Sequence, residues 1–140
     1  MPNFSRIFLH INWHCKSNRA MIPAEREMAI HRFIRHAVTR IEGVEFHGVG
    51  GTQDHVHLVV KIRPDVLISD MIGRIKGASS HEANEQFGRD SLHWQRGYGV
   101  VSFAESNLAG VLDYVARQKE HHGAGTTRPT LELAEAEGEA

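Results

Sequence analysis

Two hydrophobic periods alternate along this chain, and their order restricts the fold more tightly than any single residue does. Over residues 5–15 apolar side chains recur at every second position: Ile7, Leu9, Ile11 and Trp13 share one face, and Arg6, Phe8, His10 and Asn12 share the other. That period predicts a half-buried strand. From Pro23 the spacing changes. A proline with Glu25 and Glu27 behind it, followed by Ile30, Phe33, Ile34, Ala37, Val38 and Ile41 at helical intervals, predicts a helix to about Arg40. VEFHGVGG and HVHLVVKI then read as two strands joined by a turn built on Gly50, Gly51 and Asp54. Leu67, Ile68, Met71, Ile72 and Ile75 predict a second helix over about 67–79, with its continuation past 79 left open, and a fourth strand follows around 98–103. Leu108, Val111, Leu112 and Val115 form the stripe of a third helix from Glu105 to His121. The order β-α-β-β-α-β-α is that of a ferredoxin-like α+β domain, an antiparallel sheet with helices packed on it and one helix added at the end.

The length fits that single domain. With 140 residues, 41% hydrophobic and 24% charged, the chain has material for one core and too little length for a second full domain. Residues 123–140 (GAGTTRPTLELAEAEGEA) have little to bury and read as a flexible acidic tail, leaving 1–122 as the folded domain. The tail also masks a charge. The whole chain has a net charge of −1, but residues 129–140 hold four Glu and no Lys or Arg, so the other 128 residues carry 16 basic against 13 acidic side chains, a net +3. The body is mildly basic, though far from the strongly basic balance that flags a nucleic-acid binder. Cys15 stands alone, which excludes an internal disulfide and a Cys-x-x-Cys zinc site and suits a reducing cytoplasm. The apolar N-terminal run is broken by Arg6, His10, Asn12 and His14, and no stretch nears the roughly 20 apolar residues that span a bilayer. Neither export nor membrane insertion is expected.

Eleven histidines are the unusual count, since imidazole titrates near neutrality and is the commonest metal ligand. In DHVHLVV, strand alternation puts His55 and His57 on one face and Val56, Leu58 and Val60 on the other. Such a pair can hold a divalent cation if a third ligand arrives from elsewhere, while a bare His-x-His by itself reads more readily as two exposed strand histidines. On the third helix Tyr114 and Gln118 stand four residues apart and so share a face. Tyr114 can serve as a covalent nucleophile when a metal or base assists, and on its own it also reads as a rim residue of the core.

The succession DHVHLVV, IKGASS, LHWQRGYGVVSFAESN and YVARQKEHH, with KSNR at 16–19, resembles the single-tyrosine HUH transposases of the insertion-sequence 200/605 type, where HUH denotes His, hydrophobic residue, His. The resemblance spans roughly residues 4–122. It implies a cytoplasmic, homodimeric enzyme that cuts and rejoins single-stranded DNA with hairpin-forming ends. Carried over, it makes His55, His57 and Gln118 ligands of Mg²⁺ or Mn²⁺ and Tyr114 the nucleophile that forms a 5′-phosphotyrosine bond. It also allows the tyrosine helix to be exchanged between subunits, with a hinge around Val101 to Asn107. Lys16, Arg19, Arg74, Lys76, Arg96 and Arg117 are candidate phosphate contacts or ordinary surface charges. Trp94 and Tyr98 offer base-stacking faces, with core packing the favoured role for Trp94. Asp54 is expected to orient the turn before His55, with direct support of that imidazole as a further role. A histidine-triad nucleotide hydrolase is set aside because position 59, where its third histidine belongs, is Val59. A domesticated relative that processes repeated palindromes and a non-catalytic single-strand-binding module stand as the alternatives.

Overall fold

The structure is a computed structural model, and it describes residues 4–133. The strands are β1 (Ile7–His14), β2 (Val44–Gly51), β3 (His55–Ile62) and β4 (Gly99–Phe103), and the helices are α1 (Ala24–Thr39), α2 (Ile68–Phe87), α3 (Leu108–Ala116), α4 (Gln118–Ala124) and α5 (Pro129–Glu132). The strands form one antiparallel sheet in the order β2-β3-β1-β4, the ferredoxin-like arrangement expected from the sequence. Because β1 and β3 are central, both of their faces are covered. Leu9, Ile11, Trp13, Val56, Leu58, Val60 and Ile62 pack with Ile30, Ile34 and Val38 of α1 and Met71, Ile72 and Ile75 of α2. The opposite face carries Phe8, His10, Asn12, His55, His57 and Val59, all buried, with Val59 packed against Val111 and Val115 of α3.

Three boundaries differ from the sequence reading, each for a local reason. Gly50 and Gly51 belong to β2, and the turn is confined to residues 52–54. Helix α2 runs on to Phe87, past the apolar stripe: Ser79 and Ala83 continue its buried face, and Ser79 Oγ donates to the Ile75 carbonyl. The expected third helix is two helices that meet at Arg117 (φ −113°, ψ 33°), whose N–H is shared between the carbonyls of Asp113 and Tyr114. Neither proline nor glycine marks that break in the sequence. The segment from 123 onward, expected as a loose tail, contributes α5, and Leu131 there is buried. The remainder of that expected tail, residues 134–140, lies outside the described residues.

Glycines in β2 bring α3 close to the sheet. A Cβ at Gly50 would stand 2.0 Å from the Val115 carbonyl oxygen, and one at Gly48 would stand 2.8 Å from Leu112 Cδ2. The first contact is with backbone, so no side-chain rotation relieves it. Gly50→Ala is therefore expected to push α3 off the sheet and to cost about 1–3 kcal/mol, the usual range for overpacking. Urea denaturation checks this, and an unchanged midpoint would contradict the close approach.

Candidate active site

Strand β3 carries the two histidines where its inward alternation leaves them, on the α3 side of the sheet. His55 Nδ1 donates to Asp54 Oδ1 at 2.7 Å and lies 2.9 Å from Thr52 Oγ1, which itself donates to Asp54. Fixing the proton on Nδ1 turns the lone pair of Nε2 away from the turn, as carboxylate–histidine pairs do around metals. His57 is held from the neighbouring strand: its Nδ1 is 2.8 Å from His10 Nε2. The His10 pKa is lowered to about 3, by burial first and by His57 second, so His10 is neutral and one proton is shared between the two rings. The Nε2 of His57 faces the site and is buried there.

Helices α3 and α4 bring the other two expected residues to the same place. The Tyr114 ring lies edge-on to His57 at 6.0 Å between centroids, within the same chain. Gln118 directs its amide nitrogen back to the Tyr114 carbonyl (3.2 Å) and its carbonyl oxygen toward His55 Nε2 (3.4 Å) and His122 Nε2 (3.1 Å). The bend at Arg117 leaves Gln118 buried beside the imidazoles. All four residues thus converge.

Two members of the cluster are absent from the sequence reading. His122 lies one turn beyond Gln118, and the spacing of YVARQKEHH was available to suggest it. Glu132 comes from α5, and composition marked it only as part of an acidic end. Its Oε1 is 3.2 Å from His57 Nε2, 3.4 Å from His122 Nε2 and 3.6 Å from His55 Nε2, while Oε2 accepts a hydrogen bond from the Tyr114 hydroxyl. Burial would raise the Glu132 pKa, but the bonds from His55 and His57 prevail and hold it well below the carboxylate range. The same contact acts on its partners. Burial would lower His55, but Glu132 and Asp54 raise it; burial raises Tyr114, and the bond to Glu132 adds to that.

The donor set suits a divalent ion. One ligand atom each from His55, His57, His122 and Glu132 lies within 4.8 Å of all the others, and the Gln118 carbonyl faces the same point. The Nε2 atoms of His55 and His57 both face this point, while their Nδ1 atoms are engaged by Asp54 and His10, the arrangement usual for metal-ligating imidazoles.

The candidate DNA residues do not gather at this cluster as one group. Lys16, Arg19, Arg74 and Arg96 are exposed. Arg117 is exposed and ion-paired with Asp113 and Glu120. Lys76 donates to the carbonyls of Gln95 (2.7 Å) and Gly97 (2.9 Å) and so fastens the loop before β4. Trp94 packs edge-on against Trp13 and donates to Ser79 Oγ, the expected packing role, and it shares a groove of about 470 Å³ with Lys76, Arg96 and Tyr98.

The depressed histidines have a consequence for stability. Burial lowers the pKa of His10, His14, His31 and His57 in the metal-free protein. As pH falls below about 6.5 the unfolded chain takes up protons that these folded sites refuse, so stability present above that pH is lost toward the folded value of His10, about 3. His55 alone among the shifted histidines runs the other way. The urea midpoint of metal-free protein is expected to drop between pH 7.5 and pH 5; a midpoint that holds or rises contradicts a neutral His10.

Residues 3–118 match the family described as "Transposase IS200 like". The chain belongs to this family. As a transposase of this family it is a DNA-cleaving enzyme. It is 31% identical over 129 residues to the transposase for insertion sequence element IS200 of Salmonella typhimurium, covering 83% of this chain and 84% of that one. The Salmonella typhi transposase for the same element matches to the same extent. Among solved structures, a putative transposase from Deinococcus radiodurans shares the fold at a TM-score of 0.67 and 21% identity, over 82% of this chain and 92% of that one. A REP-associated tyrosine transposase bound to a REP hairpin does so at 0.62 and 13%, over 91% and 76%. No helix among the described residues of this transposase is long and apolar enough to cross a membrane.

Proposed function

We propose that this transposase cuts and rejoins single-stranded DNA through a 5′-phosphotyrosine at Tyr114. The observation that carries the reading is the convergence of the Tyr114 hydroxyl, two imidazole Nε2 atoms and the Gln118 carbonyl in one buried cluster of a single chain. Tyr114 Oη forms the bond to phosphorus, the bond from phosphorus to the 3′ oxygen breaks, and the phenolic proton is made up on the departing 3′-hydroxyl. One phosphodiester replaces another, so a second 3′-hydroxyl can reverse the step without ATP. His55, His57 and Gln118 would hold Mg²⁺ or Mn²⁺, which supplies Lewis acidity and charge neutralisation at a non-bridging phosphate oxygen when bound. Asp54 and His10 orient the two imidazoles for that task.

The reading includes a homodimer in the cytoplasm, Lys16, Arg19, Arg74, Lys76, Arg96 and Arg117 as phosphate contacts, and hairpin-forming DNA as substrate. The REP hairpin in one structural neighbour is consistent with that DNA class. Incubation with Mn²⁺ or Mg²⁺ and a single-stranded oligonucleotide carrying the gene's flanking sequence is expected to give an adduct that survives denaturing electrophoresis. The duplex form of the same sequence, or added EDTA, is expected to give none. Equal adduct from duplex, or in EDTA, would contradict the reading.

A further inference from the structure

The residues that this chemistry needs are out of reach of DNA. His55, His57, Tyr114 and Gln118 are between 0% and 3% exposed. Beside His121 and His122 of α4, which lie against Tyr114 and His55, their cover is a short stretch of chain after α4. The Arg128 backbone N–H donates to Tyr114 Oη at 2.9 Å, the Arg128 guanidinium lies 5.1 Å from the centre of the Tyr114 ring, and the Tyr114 hydroxyl donates to Glu132. Leu131 is buried, and Asn12 of β1 donates to the carbonyls of Leu131 (2.6 Å) and Leu133 (3.2 Å). The stretch is thus latched to the sheet as well as to the tyrosine.

The Glu132 carboxylate takes the ground between the nucleophile and the imidazoles that a reacting phosphate and its metal would need. One oxygen meets the nucleophile, and the other sits 3.2–3.6 Å from the three imidazole Nε2 atoms. A phosphodiester presents the same charge sign and a similar pair of oxygens, and it has to lie against the same phenol. Both cannot be there together. We propose that residues 126–133 are an internal strap in which Glu132 stands in the subsite of the scissile phosphate, so that DNA enters only when the strap lifts. The inference rests on the function proposed for this site. The apparent affinity for DNA is then reduced by the fraction of molecules that are open.

The test uses the full chain and two variants that loosen the strap at different points, Glu132→Gln at the mimic and Asn12→Ala at the latch, each checked by thermal melting. Binding of a fluorescent single-stranded oligonucleotide is measured in EDTA, so that cleavage and metal do not enter. Both variants are expected to bind about tenfold more tightly than wild type. In wild type, amide exchange over 126–133 is expected to accelerate when the oligonucleotide is added. If Glu132→Gln instead leaves DNA binding unchanged, loses Mn²⁺ affinity by calorimetry, and amide exchange over 126–133 is indifferent to DNA, then Glu132 is a standing ligand and the strap is overturned. DNA binding in wild type and both variants alike, with no change in exchange, also overturns it while sparing the proposed function. Absence of DNA binding in all three proteins overturns both.

Discussion

Tyr114→Phe is expected to reduce the covalent protein–oligonucleotide adduct by more than about 10³-fold, the scale seen when a nucleophile is removed. Binding of single-stranded DNA is expected to survive. The substitution deletes one oxygen from a buried ring and keeps the stacking with His121 (4.6 Å) and the edge contact with His57. It leaves the Arg128 N–H without its acceptor and removes a donor from Glu132, a cost of about 1–3 kcal/mol. A folded Tyr114→Phe protein is thus the expected result, and its melting curve separates lost chemistry from lost structure. Adduct formation at the wild-type rate would rule out Tyr114.

The second large effect falls on the metal. His55→Ala combined with His57→Ala is expected to abolish Mn²⁺ binding in calorimetry and metal-dependent cleavage together, because the Nε2 atoms of both rings face the same point. Asp54→Asn offers a graded companion. It keeps the shape of the turn but weakens the partner of His55 Nδ1, and it is expected to lower Mn²⁺ affinity by about 10–100-fold, the usual cost of losing such a partner. Wild-type Mn²⁺ affinity in the double variant would contradict the assigned centre.

The sheet was legible because alternation in Ile7–Trp13 and in Val56–Val60 has one reading once the intervening helical stretches are recognised. The His55 and His57 pair followed from the same alternation. The partner of His57 did not, since pairing His10 with it requires the β1–β3 register, in which Trp13 opposes Val56 and His14 opposes His55. Registers of separated strands depend on the packed whole. The break at Arg117 was invisible for a related reason: local propensity favours one continuous helix there, and only the folded chain shows Tyr114 and Gln118 buried on either side of it. Glu132 lay furthest from view. An acidic, glycine-containing end has the composition of a solvated tail, and only the imidazoles it meets give its carboxylate a place.

Peptide mapping by mass spectrometry bears most directly on the proposed chemistry. Wild-type protein is incubated with Mn²⁺ and a single-stranded oligonucleotide carrying the flanking sequence, digested with nuclease and protease, and the nucleotide-modified residue is located. The account predicts that the modification lies on Tyr114 as a 5′-linked phosphate. A nucleotide found on Tyr98 or on any other residue, with Tyr114 unmodified, would contradict it.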